Sequence, residues 1–143
     1  LKEDDSNLDS LLELFFSNSR EPVMVQAFLP AVSEGDKRIM LVDGKAVGAL
    51  NRRPKSGQVR SNLVVGGTAE KSDLSEADKR ICDAIGPELR QRGLVLTGID
   101  VIGGRLTEIN VTSPTGVQAI KKLSGIDIPA IFWDSVQERL AGR

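Results

Sequence analysis

Gly98-Ile99-Asp100-Val101-Ile102-Gly103-Gly104-Arg105-Leu106-Thr107-Glu108-Ile109-Asn110-Val111 reads as two strands joined through a glycine turn. Successive strand side chains point to opposite faces, which puts Thr107, Ile109 and Val111 on one face and Leu106, Glu108 and Asn110 on the other. With Ile99 and Val101 on the core face, Asp100 shares the second face with Glu108 and Asn110. A two-residue loop of Gly103-Gly104 would set Asp100 against Thr107, on the face of Ile109, and bury a carboxylate among apolar groups, which is costly unless it is paired. A three-residue loop, Gly103 to Arg105, sets Asp100 opposite Glu108; this is the expected register, a type I turn with a glycine in the left-handed region. Like charges directly opposite repel, so the pair calls for something positive between them. A divalent cation held by Asp100, Glu108 and Asn110, with water and phosphate oxygens completing the shell, meets that need. Neutralisation by Lys or Arg, or simple solvent exposure of a polar face, are the alternatives.

Around this hairpin the chain alternates strand and helix signals. Leu8, Leu11, Leu12 and Phe15 lie at helical spacing after a candidate cap at Ser6 and are expected in the core. Residues 23–28 read as a strand closed by Leu29-Pro30. Two apolar runs, 39–42 and 46–50, flank Asp43-Gly44 as a tight antiparallel hairpin. Ser75 and Asp78 open a helix whose apolar face is Ile81, Ala84, Ile85 and Leu89, with a kink expected at Gly86-Pro87 and a left-handed cap at Gly93. Two more helices follow Thr115 and Pro129, the second carrying Trp133 as a core residue. The fold class is therefore α+β, a largely antiparallel sheet flanked by helices.

Between residues 51 and 71 clear periodicity is lost, and Arg52, Arg53, Lys55, Arg60 and Lys71 stand against Glu70 alone. Loops this long are usually functional or disordered. Guanidinium forks and glycine N–H groups suit phosphates or carboxylates, although a solvated surface loop has the same composition. Arg38, after Glu34-Gly35-Asp36-Lys37, reads as an anion-binding group or as half of a surface ion pair.

Composition sets the limits. The chain has 143 residues, 40% hydrophobic and 27% charged, with a net charge of −1, as one packed domain requires. Zero histidines and a single cysteine exclude a Ser-His-Asp triad, a Cys-His dyad, zinc-finger spacing and an internal disulfide. Without histidine to activate it, Cys82 reads as a core-side residue rather than a nucleophile. The charge balance disfavours a nucleic-acid partner, and no apolar run reaches the length of a membrane span, so a cytoplasmic location with no membrane partner is expected.

Several strings together resemble prokaryotic glutathione synthetase, an ATP-grasp ligase family, over essentially the whole chain. They are Met24-Val25-Gln26-Ala27-Phe28-Leu29-Pro30, Gly35-Asp36-Lys37-Arg38, Arg60-Ser61-Asn62-Leu63-Val64-Val65-Gly66-Gly67, Ile85-Gly86-Pro87 and the hairpin through Leu106-Thr107-Glu108-Ile109-Asn110-Val111-Thr112-Ser113-Pro114-Thr115. The chain departs from the family at Ser61, at Thr68-Ala69 and at Gly116. The resemblance implies the C-terminal half of an ATP-grasp fold, over residues 1–143, as part of a longer enzyme and inactive alone. It implies a ligase that joins γ-glutamylcysteine to glycine with ATP through an acyl phosphate, with magnesium or manganese on Asp100, Glu108 and Asn110. Gln26, Ala27, Phe28 and Leu29 match the hinge that meets adenine. Arg38, Arg52, Arg60, Asn62, Gly66, Gly67 and Ser113 match positions that hold the peptide substrate and the transferring phosphoryl group, with residues 54–70 as a mobile closing loop. A homo-oligomer is implied for the full-length enzyme. Another ATP-grasp ligase, acting on a ribosomal protein or on D-alanine, and a non-catalytic anion-binding module remain alternatives.

Overall fold

The computed structural model describes residues 6–54 and 68–142. Its centre is a wholly antiparallel sheet of β1 (Asp36–Val42), β2 (Lys45–Arg53), β3 (Thr68–Lys71), β4 (Leu96–Ile102) and β5 (Arg105–Asn110), in the spatial order β3-β2-β1-β4-β5. The helices are α1 (Leu8–Asn18), α2 (Glu76–Gln91), α3 (Val117–Ser124) and α4 (Ile128–Ala141), with a 3-10 turn at Pro30–Glu34.

Alternation along β1 divides the core into two layers. Ile39 and Leu41 face α2 with Ala49, Ile99 and Val101, packed on Cys82 and Leu89. Met40 and Val42 face the other way with Leu50, packed on Ile120 of α3 and Ile128 of α4. Each such side chain, fully buried, contributes about 1.5–3 kcal/mol. The Asp43-Gly44 hairpin forms as expected, with φ of 50° and 76° at its two loop residues. Asp43 is clamped there by Arg90 at 2.7 Å and by Arg139, tying both helical layers to one turn.

The hairpin that carries Asp100 reaches the expected register by another route. Asp100 does pair with Glu108, but the loop is the two-residue Gly103-Gly104, both at positive φ. A bulge leaves Thr107 as the extra residue, and its hydroxyl donates to the Asp100 carbonyl at 3.1 Å. The bulge also changes the face of Leu106, which packs on the α2 layer, while Ile109, paired with Ile99 on the edge strand, and Val111, beyond its end, were expected in the core and are exposed.

Other expectations are corrected. α1 forms, capped at Asn7 rather than Ser6 and without a side-chain cap bond, yet it has no buried residue, and Phe15 is exposed. Residues 23–28 join no strand ladder among the described residues; β-prone side chains without a neighbouring strand edge leave Val23, Met24, Val25 and Phe28 exposed. Trp133 is 61% exposed, touching Phe132 edge to face, because Ile128 supplies the buried contact of α4. Thr68–Lys71, expected within the irregular loop, is a strand paired to Leu50–Arg53. The rest of that loop, residues 55–67, lies outside the described residues.

α2 starts on the expected capping box: the Ser75 hydroxyl accepts from the Asp78 N–H, and Asp78 Oδ2 accepts from the Ser75 N–H. Lys37 donates to the same oxygen at 2.6 Å, so one carboxylate fixes both the helix start and its dock on β1. The most buried positions are Asp78, Cys82, Gly86 and Leu89; of the expected face, Leu89 is buried, Ile81 and Ile85 are half-buried against the same core, and Ala84 is exposed. α2 runs unbroken through Pro87. Gly86 is there for space: a Cβ on it would stand 2.4 Å from the Gly44 carbonyl. Burial, with the nearby charges of Asp78 and Asp83, pushes the Cys82 thiol up to about 11, which suits a core residue.

Two outcomes follow for stability. Gly86→Ala gains about 1 kcal/mol of helix propensity but drives α2 off the β1–β2 turn, at a cost of about 1–3 kcal/mol; denaturant unfolding is expected to show net loss. For Asp78, burial raises the carboxyl pKa, but the hydrogen bonds from Lys37 and Ser75 outweigh it and hold the group below its ordinary value. Its stabilisation is therefore complete above the unfolded carboxyl range, near pH 4, and is lost as pH falls through the lowered native value. Asp78→Asn is expected to cost about 2 kcal/mol at pH 7, with the deficit narrowing below about pH 4 in pH-dependent melts.

Candidate functional site

The face of the sheet that packs on α3 and α4 changes character along β1. Val42 and Met40 are apolar, whereas Arg38 and Asp36, two and four residues before Met40, are charged. Across the strands one row reads Leu50, Arg38, Asp100, Glu108, and the next reads Gly48, Met40, Gly98, Asn110. Arg52 stands opposite Asp36. The hydrophobic layer thus ends in a block of charge.

The members of that block grip one another. Arg38 donates through Nε to Asp100 Oδ1 at 2.5 Å and through Nη2 to Oδ2 at 2.9 Å, a fork on fork pair. Its Nη1 donates to the Thr115 carbonyl at 3.2 Å. Arg52 reaches over β1, and its Nη2 meets both Asp36 Oδ2 at 2.6 Å and Asp100 Oδ1 at 2.8 Å. Arg38, Arg52 and Asp100 retain only 4%, 7% and 5% exposure, so these are not the surface ion pairs that the sequence suggested for Arg38. Burial lowers the Arg52 pKa, but Asp100 and Asp36 together more than reverse this, leaving the guanidinium firmly charged. Gly98 makes the packing possible, because a Cβ there would stand 2.8 Å from Pro114 and 3.1 Å from Arg38 Nη1.

Buried ion pairs are seldom more stabilising than apolar groups of the same volume, since desolvation offsets the attraction. A stability argument alone therefore does not explain the block. Next to it Glu108 is exposed and makes no ion pair among the described residues, and Asn110 accepts through Oδ1 from the Thr112 N–H. Asp100, Glu108 and Asn110 present two carboxylates and an amide oxygen on one face, the hard donors that suit magnesium or manganese. A cation would compete for Asp100 with the two guanidinium groups. No cluster of three carboxylate, thiolate or imidazole side chains exists among the described residues; the third donor here is an amide.

Ser113 follows β5 at φ 47°, a left-handed conformation rare for serine. Such strain is commonly held at ligand sites. Gln26, Ala27 and Phe28 are exposed in the unpaired segment, and the Leu29 carbonyl accepts from the Val32 N–H at the start of the 3-10 turn. That turn packs Ala31 against the Gly103 bend, 2.9 Å from where a Cβ would be. Neither Ser113 nor residues 26–29 bond to the arginine block in any described contact, and Arg60, Asn62, Gly66 and Gly67 lie outside the described residues. Asp36 was missed by the sequence reading; its spacing of two from Arg38 on a strand was the available signal.

Comparison with known proteins places the chain in a family. The family model described as "Prokaryotic glutathione synthetase, ATP-grasp domain" matches residues 1–125. A glutathione synthetase of Mesorhizobium japonicum is 56% identical over 96% of this chain and 44% of its own length, and one of Parasynechococcus marenigrum is 60% identical over 81% of the chain and 38% of its own. The chain spans less than half the length of these curated relatives. Among solved structures, the D-alanine–D-alanine ligase of Bacillus anthracis complexed with ATP superposes with TM-score 0.55 over 98% of this chain and 50% of its own, at 18% identity. That likeness concerns the fold alone. On the family match and the identities together, the chain belongs to the prokaryotic glutathione synthetases, within their ATP-grasp domain.

Proposed function

We propose that the complete protein carrying this chain is an ATP- and magnesium-dependent ligase that joins γ-glutamylcysteine to glycine. Family membership supports the reaction, and the observation that carries the site is Asp100 opposite Glu108 at the edge of a buried arginine block. In this reaction a carboxylate oxygen of γ-glutamylcysteine attacks the γ-phosphorus of ATP and ADP departs. The glycine amine then attacks the acyl carbon, loses a proton and expels phosphate. Phosphoryl transfer is chiefly positioning and charge neutralisation, which asks for no histidine.

Asp100, Glu108 and Asn110 would hold magnesium, which supplies neutralisation of the ATP phosphates when bound. Arg38 and Arg52 would orient the phosphoryl group and the substrate carboxylate through charged hydrogen bonds, with Ser113, Arg60, Asn62, Gly66 and Gly67 completing the substrate side. Gln26 to Leu29 would meet adenine, the first three of them being exposed. Residues 54–67 would close over the acyl phosphate and exclude water. Cytoplasmic location and a homo-oligomeric full-length enzyme belong to the same proposal; no described helix is long and apolar enough to cross a membrane.

Phosphate release by the complete protein, with ATP and magnesium, tests the assignment: release is expected only when γ-glutamylcysteine and glycine are both present. Release with another amine or acid alone would direct it to a different ligase. Glu108→Gln is expected to lower the rate at least about 100-fold at fixed magnesium and to leave the melting temperature nearly unchanged, because Glu108 is exposed and unpaired among the described residues.

A further inference from the structure

We propose that Asp36 is a positioning residue: by sharing the Nη2 group of Arg52 with Asp100, it holds that guanidinium in place when Asp100 turns to a divalent cation. The inference rests on Asp100, Glu108 and Asn110 forming a cation site. Two arginines and two aspartates balance in the block, and the exposed Glu108 adds one negative charge at its edge. Three guanidinium N–H contacts occupy the Asp100 oxygens, so a cation competes directly with Arg38 and Arg52 for them. If Asp100 were the sole carboxylate partner of Arg52, yielding it would strand a buried cation, which is strongly unfavourable. Asp36 removes that obstacle for Arg52, whereas Arg38 would keep the Thr115 carbonyl. It stands opposite Arg52 in the strand pairing and grips it twice, by Oδ2 at 2.6 Å and by its carbonyl from Arg52 Nε at 3.4 Å. Neither grip involves Asp100, so both persist when Asp100 is engaged elsewhere. The negative charge of Asp36 also offsets Arg52 in the field that the cation meets.

The test is Mn2+ binding to the complete protein, followed by loss of the free-ion EPR signal, for wild type, Asp36→Asn, Asp36→Glu and Glu108→Gln, with melting temperatures alongside. Asp36→Asn is expected to weaken Mn2+ at least about fivefold, and Asp36→Glu to recover most of that loss. Should Asp36→Asn not fold, Asp36→Ser carries the same expectation. An unchanged Mn2+ affinity in the neutral variant, with or without a lower melting temperature, would overturn the proposal and leave Asp36 a structural ion-pair partner. Glu108→Gln keeps the two levels apart. Wild-type binding that is lost in Glu108→Gln but untouched in Asp36→Asn defeats the positioning role alone, whereas binding indifferent to Glu108 defeats the cation site and the proposal with it.

Discussion

Asp100 is a carboxylate with 5% exposure on β4, and much of the surrounding architecture serves to supply it with partners there. An isolated ion in that position would cost several kcal/mol after relaxation, so it demands close partners. Arg38 comes from the neighbouring strand and Arg52 from the strand beyond, each in a fixed register. Gly98 gives up its side chain so that Arg38 and Pro114 can pack beside Asp100. The bulge at Thr107 sets Glu108, rather than Thr107 itself, across from it.

The same sheet face becomes a hydrophobic layer within two residues. Met40, Val42 and Leu50 are sealed by Ile120 and Ile128, and this apolar end provides the stability that the charged end does not. The opposite layer, under α2, is anchored by the Lys37–Asp78 pair and by the close approach of Gly86 to Gly44. Rigid layers on both sides of β1 hold the arginine forks to the sub-ångström geometry that charge-assisted hydrogen bonds need.

Local signals in the sequence were read well where they act within a few residues. Asp43-Gly44, the Ser75/Asp78 box and the two C-terminal helices follow from turn chemistry, capping and 3.6-residue periodicity. The pairing of Asp100 with Glu108 was legible from the cost of the alternative, although the loop length was not, because a bulge and a three-residue loop shift the register equally. Burial proved harder. Phe15, Val25 and Trp133 carry the periodicity and propensity of core residues, and only the absence of a covering element among the described residues exposes them. Arg38 and Arg52 are the converse: their type predicts the surface, and a two-residue spacing between Asp36 and Arg38 was the sole hint of a buried block.

In the proposed phosphoryl transfer the block would matter because that chemistry needs positive groups already oriented before charge develops. Arg38 and Arg52 are preorganised by their aspartates, and exchange of Asp100 from guanidinium to cation would turn a self-neutralised cluster into one that accepts phosphate. An anomalous-difference map of the complete protein crystallised with Mn2+ and ADP tests this most directly. A manganese peak is expected within about 2.5 Å of oxygens from Asp100, Glu108 and Asn110, with Arg52 still on Asp36. A peak elsewhere, with both arginines still locked on Asp100, would contradict it.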